Sequence, residues 1–507
     1  MLDSRASSGD GPAPIDRPSA NATRRVPLVL LALFALVALA IGFAVGTGPE
    51  LSSTQLFLGA GVVGGVAFAL VAVNRFWWLI LVLFAVRASL DALKPAEGGG
   101  GGLEAGTIVG VVFLVTASVW LFVQWRSDQL APISVAGTSF LALGAAYLLS
   151  TPGAVAPFAS VQSAMKVVAV AVMYVVLEQI FVRAPERIVS LLAATLASLI
   201  VPAIVALSQV GRSPDQETVP GLVDISRLQG TFVHPNMFAA YLVVVGLLAF
   251  ALVPHLPRWR SLLIVVIILV VPLLIMTYAR GAWIGFYVGL LFIGLAQSRV
   301  LLIGIFTATI VIALAVPSVT DRLSDLDIAK SGHAPKTDQP RQIDANSAEW
   351  RVDYWREVLP MFEDSPVTGI GTDMIRRSTP EHAPAHSAFI DTIVETGVAG
   401  ALTLLAVAIS VLLGIRRAGR RLRDGPARGL VVGAGAIGLA LLVQFFSESL
   451  MTQPAILWYA VGPIAWAVAA GRAPAPAVGG DRGAARRSGE SADPGAVEPA
   501  DAFAAVV

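Results

Sequence analysis

The sequence predicts an all-α polytopic membrane protein with about fourteen transmembrane helices (12–14) and a large extracytoplasmic loop containing an amphipathic helix. Three observations predict it. The 507-residue chain is 56% hydrophobic and only 14% charged, whereas soluble domains carry about 25% charged residues. The apolar residues come in runs of about twenty, which at ~1.5 Å per residue cross a ~30 Å hydrocarbon core. The polar residues are concentrated in one internal stretch, 317–385.

Residues 1–25 are rich in Pro, Ser, Ala and Gly and are expected to form a disordered cytoplasmic N-terminus. Arg24 and Arg25 precede the first apolar run, which has no convincing cleavage site and is expected to remain as a span. Eleven spans are predicted in 26–316, at 26–46, 51–73, 76–93, 105–125, 131–150, 158–182, 186–209, 236–254, 260–278, 281–297 and 299–316. Three more follow the loop, within 386–470, at 386–414, 429–448 and 454–470. Gly98 to Gly102 make the gap after the third span a flexible loop. The Ala/Pro/Gly/Arg-rich tail, 471–507, is expected to be disordered and cytoplasmic.

Lysine and arginine in the short loops give the orientation. With the N-terminus inside, Arg75, Arg126, Arg183, Arg187, Arg258, Arg260, Arg299 and a tract from Arg416 to Arg428 are cytoplasmic. The short outer loops then hold only Lys94 and Arg280. This places 210–235 and 317–385 outside and both termini in the cytoplasm. The net charge of +1 identifies no partner. The absence of cysteine excludes disulfides, thiolate metal sites and a cysteine nucleophile.

In the loop, Asn346 and Glu349 have capping-box spacing, so a helix is predicted over 347–363. Trp350, Tyr354, Val358 and Phe362 recur every fourth residue and make an apolar stripe. The helix should lie on the membrane face or cover the bundle. Pro366 should stop it, and Gly369 and Gly371 permit a tight turn.

Ionisable groups at membrane depth are costly and mark candidate sites. Arg87 and Asp91, four residues apart, form either a mutual ion pair or part of a cavity. Lys166 either meets an anion or extends to the interface. Glu395 and Glu448 are candidate partners for these cations. Arg227, in SRLQGTFVHPNMFAAYL, and Arg280, in TYARGAWIGF, stand on the outer side against the charge bias. A guanidinium matches phosphate geometry, so both suit a lipid-linked diphosphate, with a headgroup contact or salt bridge as the plainer reading. His386, where the loop meets the next span, is the candidate general base. His382 lies four residues earlier, but Pro384 interrupts the pair, so no metal site is expected. His234 reads as a helix cap. No Walker, GxSxG or GxGxxG motif stands in a suitable context.

RLQGTFVHPNMFAAYL, YARGAWIGF, RVDYWREVLPMFEDSPVTGIG and HSAFIDTIVETGVAG occur in this order, the last after the loop. Together, over about 220–400, they resemble the O-antigen ligase-like family: O-antigen ligases, Wzy-type polysaccharide polymerases and some bacterial protein O-oligosaccharyltransferases. The resemblance implies a glycosyltransferase at the outer face of the cytoplasmic membrane. It would move a glycan from an undecaprenyl-diphosphate carrier to a hydroxyl of a glycan, lipid or protein, with inversion and without metal or cofactor. The family's arginines fall on Arg227 and Arg280 and its histidine on His386. Lys166 and Arg87 would assist at the diphosphate, while Asp91, Arg351, Trp355 and Glu395 would shape the cavity. Many members have Asn after the histidine, and this chain has Ser387. A lipid-linked oligosaccharide flippase or transporter is the alternative, although no internal repeat is evident. A receptor that uses the loop only for binding would leave Arg227 and Arg280 without a role. No nucleic-acid partner is expected.

Overall fold

The computed structural model describes residues 75–93, 105–211, 218–219, 222–315, 348–422 and 425–472. The described chain is a helical bundle. Ten of its helical segments are long and apolar enough to cross a membrane. Two shorter apolar helices, α1 (Phe76–Val86) and α10 (Arg299–Ala315), fall on two further expected spans. The expected spans 26–46 and 51–73, the glycine run, loop residues 317–347 including Asn346, and the tail beyond Arg472 lie outside the described residues.

From the amino end, α2 (Ala105–Arg126), α3 (Val135–Leu149) and α4 (Pro157–Arg183) follow α1. Next come α5 (Ile188–Ala197) and α6 (Ile200–Gln209), which divide the expected 186–209 span at Ser198 and Leu199. A small antiparallel pair, β1 (Thr218–Val219) and β2 (Leu222–Ser226), departs from the all-helical expectation. The chain continues through α7 (Pro235–Leu252), α8 (Arg260–Met276) and α9 (Arg280–Gln297). After α10 come α11 (Ala348–Val358), a short α12 (Ile375–Ser378), α13 (Ala388–Arg421), α14 (Pro426–Gln444) and α15 (Pro454–Arg472).

Proline opens α4, α7, α14 and α15, where its missing N–H and fixed φ cost nothing. Helices α7 and α15 form the centre, with 89% and 94% of their spans buried. Around them, α2 is only 17% buried and α8 28%. Their exposed Ile108, Val111, Phe122, Ile264 and Ile268 present an apolar rim suited to lipid.

Two departures from the expected spans have a visible cause. The third span is α-helical only to Val86 and continues as a 3₁₀ turn, Arg87–Leu93. Tyr459 Oη donates to the Phe84 carbonyl (2.7 Å) and accepts from the Ala88 N–H (3.1 Å), so it occupies the rung between them. A side chain inserted into the ladder in this way breaks the helix. The twelfth span was expected to run unbroken from 386. Instead α13 is interrupted at Gly397 (φ 66°, ψ −164°). Segment 366–371 lies against this break. Ile370 and Gly371 donate to the Val394 and Glu395 carbonyls (3.1 and 3.0 Å), and Val398 and Ala399 donate to Pro366 and Val367 (2.9 and 3.2 Å). The backbone groups released by the break are thereby paired, as burial in an apolar medium requires.

Candidate active site

The site begins with the loop before α7. Leu228 donates to the Met276 carbonyl (3.1 Å). Gln209 Oε1 accepts from Gln229 and Gly230 (3.2 and 2.9 Å), and Thr231 Oγ1 donates to the Ala88 carbonyl (2.5 Å). Held on these sides, Arg227 is 2% exposed. Its Nε donates to the Thr277 carbonyl (2.9 Å) and its Nη2 to Asn236 Oδ1 (2.5 Å). Asn236 is the second residue of α7, after a His234 cap whose Nδ1 accepts the Asn236 N–H (3.3 Å).

Asn236 passes the connection on, since its Nδ2 donates to Glu448 Oε1 (2.7 Å). Glu448, in the turn between α14 and α15, is 6% exposed. The same oxygen lies 3.6 Å from Arg351 Nη2, on α11. Arg351 Nη1 also donates to the Ser447 carbonyl (2.8 Å). One chain of contacts thus joins Arg227, Asn236, Glu448 and Arg351 across four separate segments. Burial pushes the Glu448 carboxyl above its ordinary value, while Arg351, Asn236 and Arg227 favour its charged form.

Arg280 opens α9, one residue before Gly281. A Cβ on Gly281 would fall 2.0 Å from Ser447 Oγ, so α9 and the Glu448 turn meet without room for a side chain. Arg280 is half-buried at the first position of an 18-residue helix, where the helix dipole also favours an anion.

The segment before α13 brings His386 to the same place. The Ala388 N–H donates to the Phe445 and Glu448 carbonyls (2.8 and 3.1 Å), and Ser387 Oγ to Phe445 (3.2 Å). Ser387 also caps α13 by accepting the Ile390 N–H. From the other side α11 acts as a cover. Tyr354 Oη bonds to the Ala383 carbonyl (2.6 Å) and Trp355 Nε1 to the Ala385 carbonyl (2.7 Å). Trp350, Tyr354 and Val358 of the expected stripe are buried against Ile375, Ala385 and Val394, whereas Phe362, its fourth member, is half-buried in the 3₁₀ turn Leu359–Asp364 that replaces the last part of the expected 347–363 helix. His386 itself adopts φ 52°, in the left-handed region, and its ring meets Trp350 edge-on at 5.7 Å. Burial, followed by the nearby charges of Arg351 and His234, pushes its imidazole down to about 3.

The other expected site residues sit differently. Arg87 Nη1 bonds to Asp91 Oδ1 at 2.9 Å, and both are buried. Their 3₁₀ turn touches the Arg227 loop through Thr231. Lys166 is half-buried on α4, whose principal partners are α15 and α3 rather than the elements carrying Arg227 and Arg280. Glu395 accepts the Ile375 N–H (3.4 Å) through its side chain. Glu448 is instead the carboxylate that joins the arginine cluster. Asn236 and Asp391, which accepts the Ala385 N–H (3.0 Å), were not singled out in the sequence. The signal for Asn236 was its place directly after His-Pro at the start of an apolar run.

Residues 265–405 match the family model described as O-Antigen ligase. Over this stretch the match supports an O-antigen ligase-like family. The matched stretch runs from within α8 to beyond the Gly397 break and carries Arg280, Arg351 and His386, whereas Arg227 lies before it. No curated protein gives a significant match. An O-antigen ligase/polymerase type of membrane glycosyltransferase accords with the multi-pass bundle.

Proposed function

We propose that this O-antigen ligase-like protein transfers a glycan from an undecaprenyl-diphosphate carrier to an acceptor hydroxyl, with inversion, at the outer face of the cytoplasmic membrane. The observation that carries the reading is the cluster of Arg227, Arg351, Glu448 and Asn236, with His386 and His234 in electrostatic contact and Arg280 opening the adjoining helix. In this reading the arginines and the α9 N-terminus face the diphosphate. Arg227 and Arg351 are held by contacts made before substrate arrives, so little reorganisation is needed as charge develops on the leaving group.

The acceptor oxygen attacks the anomeric carbon as the bond from that carbon to the diphosphate oxygen breaks. The bonding electrons leave with the diphosphate, and the acceptor proton passes to His386 Nε2 or Nδ1. A neutral imidazole is required for this role. The surroundings of His386 meet that requirement, because burial and the nearby charges of Arg351 and His234 disfavour protonation. A bound diphosphate would offset those cations and raise the basicity of His386 when it is needed. Arg87 and Lys166 have a lesser part here than Arg227 and Arg280: Arg87 is paired with Asp91, and Lys166 stands on α4, whose principal partners are α15 and α3.

The test is transfer by purified full-length protein in detergent, given a lipid-linked glycan and candidate acceptors. Mass analysis should find a new glycan–acceptor bond and free undecaprenyl diphosphate in equal amounts. Movement of intact donor across a vesicle membrane, with none consumed, would support transport and overturn the reading.

A further inference from the structure

A second concave site lies beside the first and uses none of its residues. Arg376, Arg377 and His382 line a cavity of 330 Å³. The two arginine side chains are 49% and 41% exposed, so a solute can reach both. They share one carboxylate: Asp373 Oδ2 lies 3.2 Å from Arg376 Nη2 and 3.5 Å from Arg377 Nε. Two guanidinium groups against one carboxylate leave an unneutralised positive charge. Glu381, the residue before His382, is not part of the cavity lining, and its charge is felt at Tyr354 and Glu357 of α11.

The walls are fixed from beneath. Thr379 Oγ1 bonds to the Ile375 carbonyl (2.9 Å) and to Tyr354 Oη (2.8 Å). His382 turns through φ 50°, donates its N–H to the Thr379 carbonyl (3.2 Å) and brings Nδ1 within 3.4 Å of the Arg376 carbonyl. His382 precedes His386 by four residues, so their Cα atoms are at most about 14 Å apart. One oligosaccharide is long enough to touch both.

We propose that this cavity binds an oxyanion, a carboxylate or phosphate, carried by the acceptor as it approaches His386. Guanidinium forks recognise planar and tetrahedral oxyanions through paired hydrogen bonds. The identity of the ligand as an acceptor rests on the transferase reading; the oxyanion chemistry does not. An anionic lipid headgroup offers the same chemistry and is separated by the test.

The probe is a short oligogalacturonate, with its methyl ester as the neutral control. Binding is measured to the full-length chain in phosphatidylcholine nanodiscs. The acid should bind, the ester should not, and R376A/R377A should weaken binding about tenfold or more, equivalent to about 1.4 kcal/mol. R376K/R377K should retain part of the affinity, and the exposed sites predict an unchanged thermal midpoint for both variants. Equal binding by wild type and R376A/R377A, or by acid and ester, overturns the proposal. If phosphatidylglycerol in the disc abolishes saccharide binding by wild type, the cavity belongs to the headgroup and the acceptor assignment falls. No glycan transfer is measured, so failure here leaves the transferase reading intact. Failed transfer with intact saccharide binding leaves the oxyanion site in place.

Discussion

Replacing Glu448 by Gln keeps the shape of the side chain and removes the charge that joins the cover helix to the bundle. At 3.6 Å, the Arg351–Glu448 attraction is about 4–5 kcal/mol for an effective dielectric of ~20. Dehydration of two largely buried groups offsets much of this, so the gross figure is not the expected loss. Removing one partner from a buried pair costs about 3–5 kcal/mol, because the other charge is left without compensation. Arg351 retains the Ser447 carbonyl at 2.8 Å, which argues for the lower end, about 3 kcal/mol. Arg351→Met should cost a similar amount by stranding Glu448. The double variant E448Q/R351M should cost less than the sum, with a coupling of about 1–3 kcal/mol. Reversible unfolding in mixed micelles, followed by Trp fluorescence, supplies the four stabilities. A coupling below about 0.5 kcal/mol would mean the two sites act independently. The argument that α11 is held down by this pair would then fail.

Other predictions follow from the same contacts. His386→Ala should lower glycan transfer about 10²–10⁴-fold, the range for loss of a general base, while donor still binds; wild-type turnover by a folded variant would remove the assignment. Arg280→Lys should fail to rescue transfer lost in Arg280→Ala, because a point charge does not reproduce a guanidinium fork; equal activity of Lys and Arg forms would refute bidentate contact. Gly397→Ala should destabilise by at least about 1–3 kcal/mol, since φ is 66° and a Cβ would fall 2.4 Å from the Val367 carbonyl carbon; an unchanged thermal midpoint would count against it. His386 is lowered from 6.5 to about 3 in the fold, so the unfolded chain binds its proton first as pH falls. Its contribution is complete above pH 6.5 and is lost as pH falls toward 3, amounting to about 2 kcal/mol between pH 7 and 5. Wild type should therefore lose about that much more stability than His386→Gln over the same interval, as measured by unfolding at each pH.

The sequence made the apolar spans and the loop helix legible because each depends on local spacing. Trp350, Tyr354 and Val358 repeat with the helix, and they are the residues that bury. What that helix covers was less visible, since Trp355 and Arg351 act outside the stripe, on carbonyls at Ala385 and Ser447. Arg227 and Arg280 stood out through their position against the charge bias. The relation of Arg227 to Glu448 could not be read, because the connection passes through Asn236, which is 212 residues from Glu448. The Gly397 break was hidden for another reason. An apolar run scores alike whether its backbone is continuous or interrupted, and the partner that satisfies the break comes from a different segment.

The join at that break has a consequence for how this protein can vary. Its four hydrogen bonds use only main-chain atoms, from 366–371 on one side and 394–399 on the other. Any residue supplies those atoms, apart from the N–H that proline lacks. A substitution at Gly369 or Gly397, where the two backbones touch, should therefore cost far more than one at exposed Val367 or Thr368. The outward side chains of this segment are thus free to change while the main-chain join keeps its shape.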